Sequence, residues 1–142
     1  MVDNQLRSWN NIGLFDTALG DAAGYDAFPA IADEDASVAD RARAYLDVNC
    51  AHCHQPGGTA PGALDLRVAT ADDAMGALNT APSAGNLGIT DAAIIAPGER
   101  NRSVLWERLR RLDDNRMPPL GSHVVDSEGV DLVGRWIDAL SE

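Results

Sequence analysis

Lysine is absent from this chain, and all eleven basic residues are arginine. Against 22 Asp and Glu they leave a formal net charge of −11. So acidic a chain repels nucleic acid and anionic membrane surfaces, which argues against either as a partner. Aromatic side chains are few: two Phe, three Trp and two Tyr. A core so poor in aromatics gains little from large side chains and leaves room for a bulky apolar group, although composition alone does not show one. No apolar run approaches the roughly 18–20 residues needed to span a bilayer. Internal repeats, low-complexity tracts and convincing strand alternation are also missing, so the expected fold class is all-α.

What is present is a set of helical patterns separated by long irregular connections. Residues 3–12 place Leu6, Trp9 and Ile12 on one helical face, stopped by Gly13. Residues 16–35, acidic and carrying Gly20, Gly24 and Pro29, read as a surface loop. Ser37 is a predicted N-cap with Asp40 three positions on, followed by Val38, Ala42, Tyr45, Leu46 and Asn49 at helical spacing. Residues 55–63 are loop, and 71–78 are expected to hold a short helix before a Gly/Pro/Asn-rich excursion to Pro97-Gly98. Ser103 is expected to cap a helix with Leu105, Leu109 and Leu112 on one face and Arg110 and Arg111 in its last turn. Met117-Pro118-Pro119 forbids helix. A final helix is expected to start near Asp126 or Ser127, with Val130, Val133, Trp136, Ile137 and Leu140 on one face.

Chemistry concentrates in Cys50-Ala51-His52-Cys53-His54. Two thiols three positions apart can reach the two vinyl groups on one edge of a haem, and the next residue then sets an imidazole below the iron. Cys-x-x-Cys-His is the attachment signature of covalent haem c. A redox dithiol is the weaker reading, because no βαβ pattern surrounds the pair. Zinc is weaker too: Cys50, His52, Cys53 and His54 crowd one short turn and no second knuckle follows. A disulfide across two residues would close a small, strained loop.

His54 is therefore one axial ligand of the metal. For the other, Met117, His123, Met75 and His52 are candidates. Met117 is favoured because two prolines hold its segment irregular, so a thioether there loses little entropy on ligation. His/Met ligation raises the reduction potential and leaves the iron no vacant position. Both point to electron transfer, with no enzymatic reaction at the iron. The alternatives are a haem-based ligand-binding or sensor domain, in which Met117 dissociates, and a peroxidase-like haem enzyme, which needs an open iron site.

These residues, with Met117-Pro118-Pro119 and a C-terminal helix carrying Trp136, resemble the class I cytochrome c family over about residues 37–141. Asn49 through Gly58, Leu64 through Arg67, Gly88-Ile89, Pro97-Gly98 and Met117 through Gly121 are more narrowly similar to cytochrome domains fused to or found beside larger secreted bacterial proteins. The resemblance implies a class I cytochrome c fold around one covalent haem. Residues 1–36 would be an N-terminal extension packed on a cytochrome domain of residues 37–142. A long loop insertion would separate the haem motif from the Met ligand.

The resemblance also implies that Tyr45 crosses the last helix near Gly134 and Trp136. A carbonyl from Pro56 or Pro61 would accept from His54, and Leu105, Trp106 and Leu109 would line the haem pocket. The Trp106 indole, or one of Arg67, Arg102 and Arg116, would be a candidate for a propionate. The implied partners are redox proteins, among them a sugar or alcohol dehydrogenase and a terminal oxidase or other cytochrome. The implied location is periplasmic or otherwise extracytoplasmic. Met1-Val2-Asp3 lacks the basic start and apolar stretch of a signal peptide, so the numbering is expected to describe a mature or excised form. Charge is uneven as well. Residues 100–116 carry six Arg against Glu107, Asp113 and Asp114, an asymmetry that can steer a partner to the Met117 side.

Overall fold

The computed structural model describes residues 4–141, so the Met1-Val2-Asp3 start lies outside the described residues. Every regular element among these residues is helical, and there is no sheet: α1 (Gln5–Asn11), α2 (Val38–Leu46), α3 (Val104–Leu109) and α4 (Ser127–Ala139). Residues 77–80, 93–95 and 102–105 run beside one another, but they form only the isolated bridges Leu78–Ile95 and Ala93–Ser103.

The ends of α2 and α4 follow from their capping residues. Ser37 Oγ accepts from the Asp40 N–H at 3.0 Å and donates to the Asp40 carboxylate at 2.7 Å. Asp126 accepts from the Gly129 N–H at 3.0 Å. Such caps satisfy amides that the helix leaves unpaired and are each worth about 1 kcal/mol. At its far end α4 is closed by Gly98, whose N–H donates to Ile137 O at 2.9 Å from a left-handed backbone (φ +75°).

The core lies between α2 and α4. Ala42 and Leu46 of α2 meet Leu132, Val133, Trp136 and Ile137 of α4, and Leu66, Met75, Ala77, Ile95 and Leu109 close the sides. Leu132 is fully buried although it lies outside the apolar face read from the sequence. Met75 is fully buried as well, which fits core packing.

The crossing of α2 and α4 differs from expectation. The close approach is at Gly129: a Cβ there would sit 2.4 Å from Tyr45 Cε2 and Cζ. Gly134 serves a different neighbour, since its Cβ would meet Arg100 Nη1 at 2.7 Å and Trp106 Nε1 at 2.8 Å. Burial first, and then the adjacent Asp126 carboxylate, hold the Tyr45 phenol above its ordinary range. The folded state thus favours the neutral phenol. That contribution is present below the unfolded value of about 10 and is lost as pH rises through the folded value. Thermal melts should therefore show stability falling above about pH 10, and Tyr45→Phe should flatten that limb.

Three further expectations are corrected. The helix expected over 71–78 is one 3-10 turn, Asp72–Ala74. α3 ends at Leu109, so Arg110, Arg111 and the exposed Leu112 lie beyond it. Ser103 holds the N-cap position of α3 without capping it. Its buried hydroxyl instead accepts from Ala96 N–H at 2.9 Å and donates to Glu99 O at 3.1 Å.

α1 forms where predicted but buries none of its residues, and Trp9 and Ile12 stay exposed. Periodicity reports a helical face; it does not supply a partner for it. The link from this N-terminal part to the core runs through Ile31. Its side chain packs on the core, and its carbonyl accepts from Arg41 Nη1 at 3.0 Å.

Candidate haem-attachment site

The site begins where α2 changes pitch. From Asp47 to Ala51 the chain winds as a wider π-type turn, a distortion frequent at functional sites. The Asn49 side chain stabilises the change by donating to Tyr45 O at 2.8 Å, and Asp47 accepts from Val68 N–H at 2.7 Å. Immediately after, the N–H groups of Cys53 and His54 converge on the Cys50 carbonyl, at 3.1 and 2.9 Å. That convergence gathers both thiols and the imidazole on one tight turn.

The loop beyond folds back onto the motif. Ala60 N–H donates to Cys53 O at 3.2 Å, Leu66 N–H to His54 O at 2.9 Å, and Gly58 N–H to Gln55 O at 2.8 Å. Gly58 is sterically required: a Cβ there would lie 2.2 Å from Cys53 O and 3.0 Å from Gln55 O. Both contacts are to backbone, so no side chain can swing aside. Gly58→Ala should lower stability by about 1–3 kcal/mol, the usual cost of overpacking. It should also lower the fraction of purified protein carrying covalent haem, read from thermal melts and from mass.

Both cysteines are half-buried free thiols. Burial, and secondarily Cys53, push the Cys50 thiol up to about 12, so it stays protonated at neutral pH. The His54 imidazole is pushed below its ordinary value by burial and then by His52, which favours the neutral ring that ligates metals. Its Nδ1 is buried with no hydrogen-bond partner. Pro56 and Pro61 are both exposed, and neither carbonyl accepts from that nitrogen. Two unbridged thiols and a neutral, under-satisfied imidazole on one turn fit a covalently held haem. No group of three or more His, Cys, Asp or Glu among the described residues suits a metal ion, which leaves the zinc reading without support.

Met117 is half-buried in an irregular segment, and its N–H donates to Arg108 O at 3.0 Å. His52 and His123 are exposed. Leu109 is buried and Leu105 half-buried against the core. Trp106 clamps α3 to α4: its indole N–H donates to Val130 O at 3.0 Å, which withdraws it as a propionate donor. The guanidinium groups of Arg100 and Arg110 both lie over its ring, at 5.8 and 4.8 Å from the centroid.

Of the propionate candidates, Arg67 pairs with Asp65 at 2.6 Å and Arg102 pairs with Glu99. Arg116 donates to Asp113 O and Pro119 O and keeps a buried Nε without a partner. Across residues 100–116, Arg100, Arg102, Arg110 and Arg111 are ion-paired within the domain. The positive stretch seen in the sequence is thus largely neutralised where it folds.

Sequence reasoning did not find Gly58, Gly129 or the carbonyl contacts of Arg108 and Arg116. A Gly57-Gly58 pair signals a turn in any chain, and nothing local reveals which carbonyl a distant guanidinium will meet.

A helical domain with a Cys-x-x-Cys-His turn at the end of a helix defines a c-type cytochrome, whose function is haem-based electron transfer. Comparison with protein families makes the assignment specific. Residues 50–121, just over half of the chain, match the family described as Planctomycete cytochrome C, and the chain belongs to that family. The matched region opens on Cys50 and closes just after Met117-Pro118-Pro119. No curated protein and no solved structure is significantly similar to the chain. Cytochromes of this type work with redox partners and are generally extracytoplasmic. No helix among the described residues is long and apolar enough to cross a membrane.

Proposed function

We propose that this chain is a mono-haem electron carrier of class I cytochrome c type, passing single electrons between an extracytoplasmic redox enzyme and an acceptor. In this reading Cys50 and Cys53 would carry the two thioether links, and His54 and Met117 would hold the iron. Leu105 and Leu109 contribute apolar wall. Residues 37–142 are the cytochrome unit, with 1–36 as an appended extension. When bound, haem c supplies a one-electron couple at its iron.

The observation that carries the reading is the turn at 50–54, where two free thiols and an imidazole with a buried, unpartnered nitrogen share one carbonyl-centred bend. Met117 is supported by its irregular, proline-bounded segment and by the anchoring of its amide on α3. A thioether donor favours the reduced iron, and two protein ligands leave no position for a substrate. A sugar or alcohol dehydrogenase is the proposed donor class, with a terminal oxidase or another cytochrome as acceptor.

Redox titration of the purified holoprotein tests the function. A single one-electron wave, with electrons accepted from a dehydrogenase of that class and no peroxidase turnover, is the expected result. A five-coordinate, high-spin haem with peroxidase turnover would overturn it.

A further inference from the structure

Met117 sits in a loop whose backbone is fastened by two arginines, and the two fasten it to different things. Its own N–H donates to the carbonyl of Arg108, in the last turn of α3. The same carbonyl, at the end of the helix, also accepts from the Arg110 and Arg111 N–H groups, so the Met117 amide joins the hydrogen bonds that close α3. The guanidinium of the same residue then reaches two further carbonyls, Asn115 O through Nη1 at 3.0 Å and Ala84 O through Nη2 at 2.8 Å. Arg116 works inside the loop only, donating to Asp113 O at 3.2 Å and Pro119 O at 3.1 Å.

Ala84 belongs to a segment held in an unusual conformation. Asn79, Leu87 and Asp91 all have left-handed backbones, at φ +50°, +56° and +51°. A bulky residue such as Leu adopts that region only where its surroundings impose it. Arg102 holds the far end of the segment at Asp91 O, through Nε at 3.1 Å and Nη2 at 2.9 Å. The segment is thus fixed at both places by guanidinium groups from the α3 region, and Arg108 is the one that also holds the Met117 loop.

We propose that Arg108 is a positioning residue for Met117, tying the ligand loop at once to α3 and to the 79–91 segment so that the thioether stays at the iron. This rests on the reading of Met117 as the second axial ligand. The chemistry requires arginine. A planar fork with several donors can bridge two carbonyls, and charged donors make the stronger hydrogen bonds. Gln offers a single donor nitrogen where Arg108 uses two, and carries no charge; Lys keeps the charge but likewise donates from one nitrogen and loses the fork. A loop released at Asn115 lets the sulfur leave the iron more often, whereas a clamp that mattered only to folding would change stability and leave ligation alone.

The test uses purified holoprotein. In wild type, the oxidised form should show the methionine–iron charge-transfer band, and the reduced form should not bind carbon monoxide. In R108Q the band should weaken, the reduced form should begin to bind carbon monoxide, and the Met117 amide should exchange with solvent about tenfold faster or more. R108K should resemble R108Q, because geometry and not charge is what it loses; it also decides the matter if R108Q cannot be recovered folded. A folded R108Q or R108K with the wild-type band and wild-type inertness to carbon monoxide overturns the inference alone. Absence of the band in wild type overturns the Met117 reading itself.

Discussion

Met117→Ala is expected to open the iron of the holoprotein. The oxidised protein should lose its methionine–iron charge-transfer band, and the reduced protein should bind carbon monoxide. The potential should fall by on the order of 0.1 V or more, given that axial ligands set potentials across a range of about 0.8 V. Stability should change little by comparison. Met117 is only half-buried, and the loop keeps its ties through the Arg108 carbonyl and the Arg116 side chain. This separation of a large redox effect from a modest stability effect distinguishes a ligand from a gap-filling core methionine. Met75 supplies the internal contrast. It is fully buried among core residues, so Met75→Ala should cost about 2–5 kcal/mol and leave the charge-transfer band in place. Spectra and melts of the two variants side by side check both halves.

The second large effect concerns the helix crossing that supports the site. Gly129→Ala should destabilise the protein by about 1–3 kcal/mol, because the new methyl group would overlap the Tyr45 ring. On helix propensity alone the same change would stabilise α4 by about 1 kcal/mol, so the two accounts differ in sign. Placing Gly129→Ala in a Tyr45→Leu background should recover much of the loss, since the smaller side chain vacates the ring edge. A double-mutant cycle by chemical denaturation measures that coupling. No recovery would mean that the clash is not what fixes the distance between α2 and α4. Since the turn holding Cys50 continues directly from α2, displacing this crossing should also shift the haem spectrum.

The attachment motif was legible because all of its geometry is local. Five consecutive residues carry both thiols and the imidazole, and the fold needs only to wind them once. The starts of α2 and α4 were legible for a similar reason: Ser37 and Asp126 cap amides three residues away. What could not be read depends on residues far apart in the chain. Gly129 and Gly134 are equally plausible small positions on α4. Only the register against Tyr45 and Trp106 decides which one lies under which ring. Ser103 resembles an N-cap by type and position, yet its hydroxyl is drawn into the Ala96–Glu99 turn. The arginines of residues 100–116 read as a positive patch because a sequence shows charges and not their partners. Folding pairs four of them with carboxylates and turns Arg108 and Arg116 onto carbonyls. α1 shows the opposite limit, an amphipathic pattern that forms its helix and remains exposed.

The most direct test of the whole account is the intact mass of the protein purified from a host able to mature c-type cytochromes. One haem retained after denaturation, and lost in a Cys50→Ala, Cys53→Ala double variant, is the predicted result. A colourless product with the mass of the bare polypeptide would contradict it.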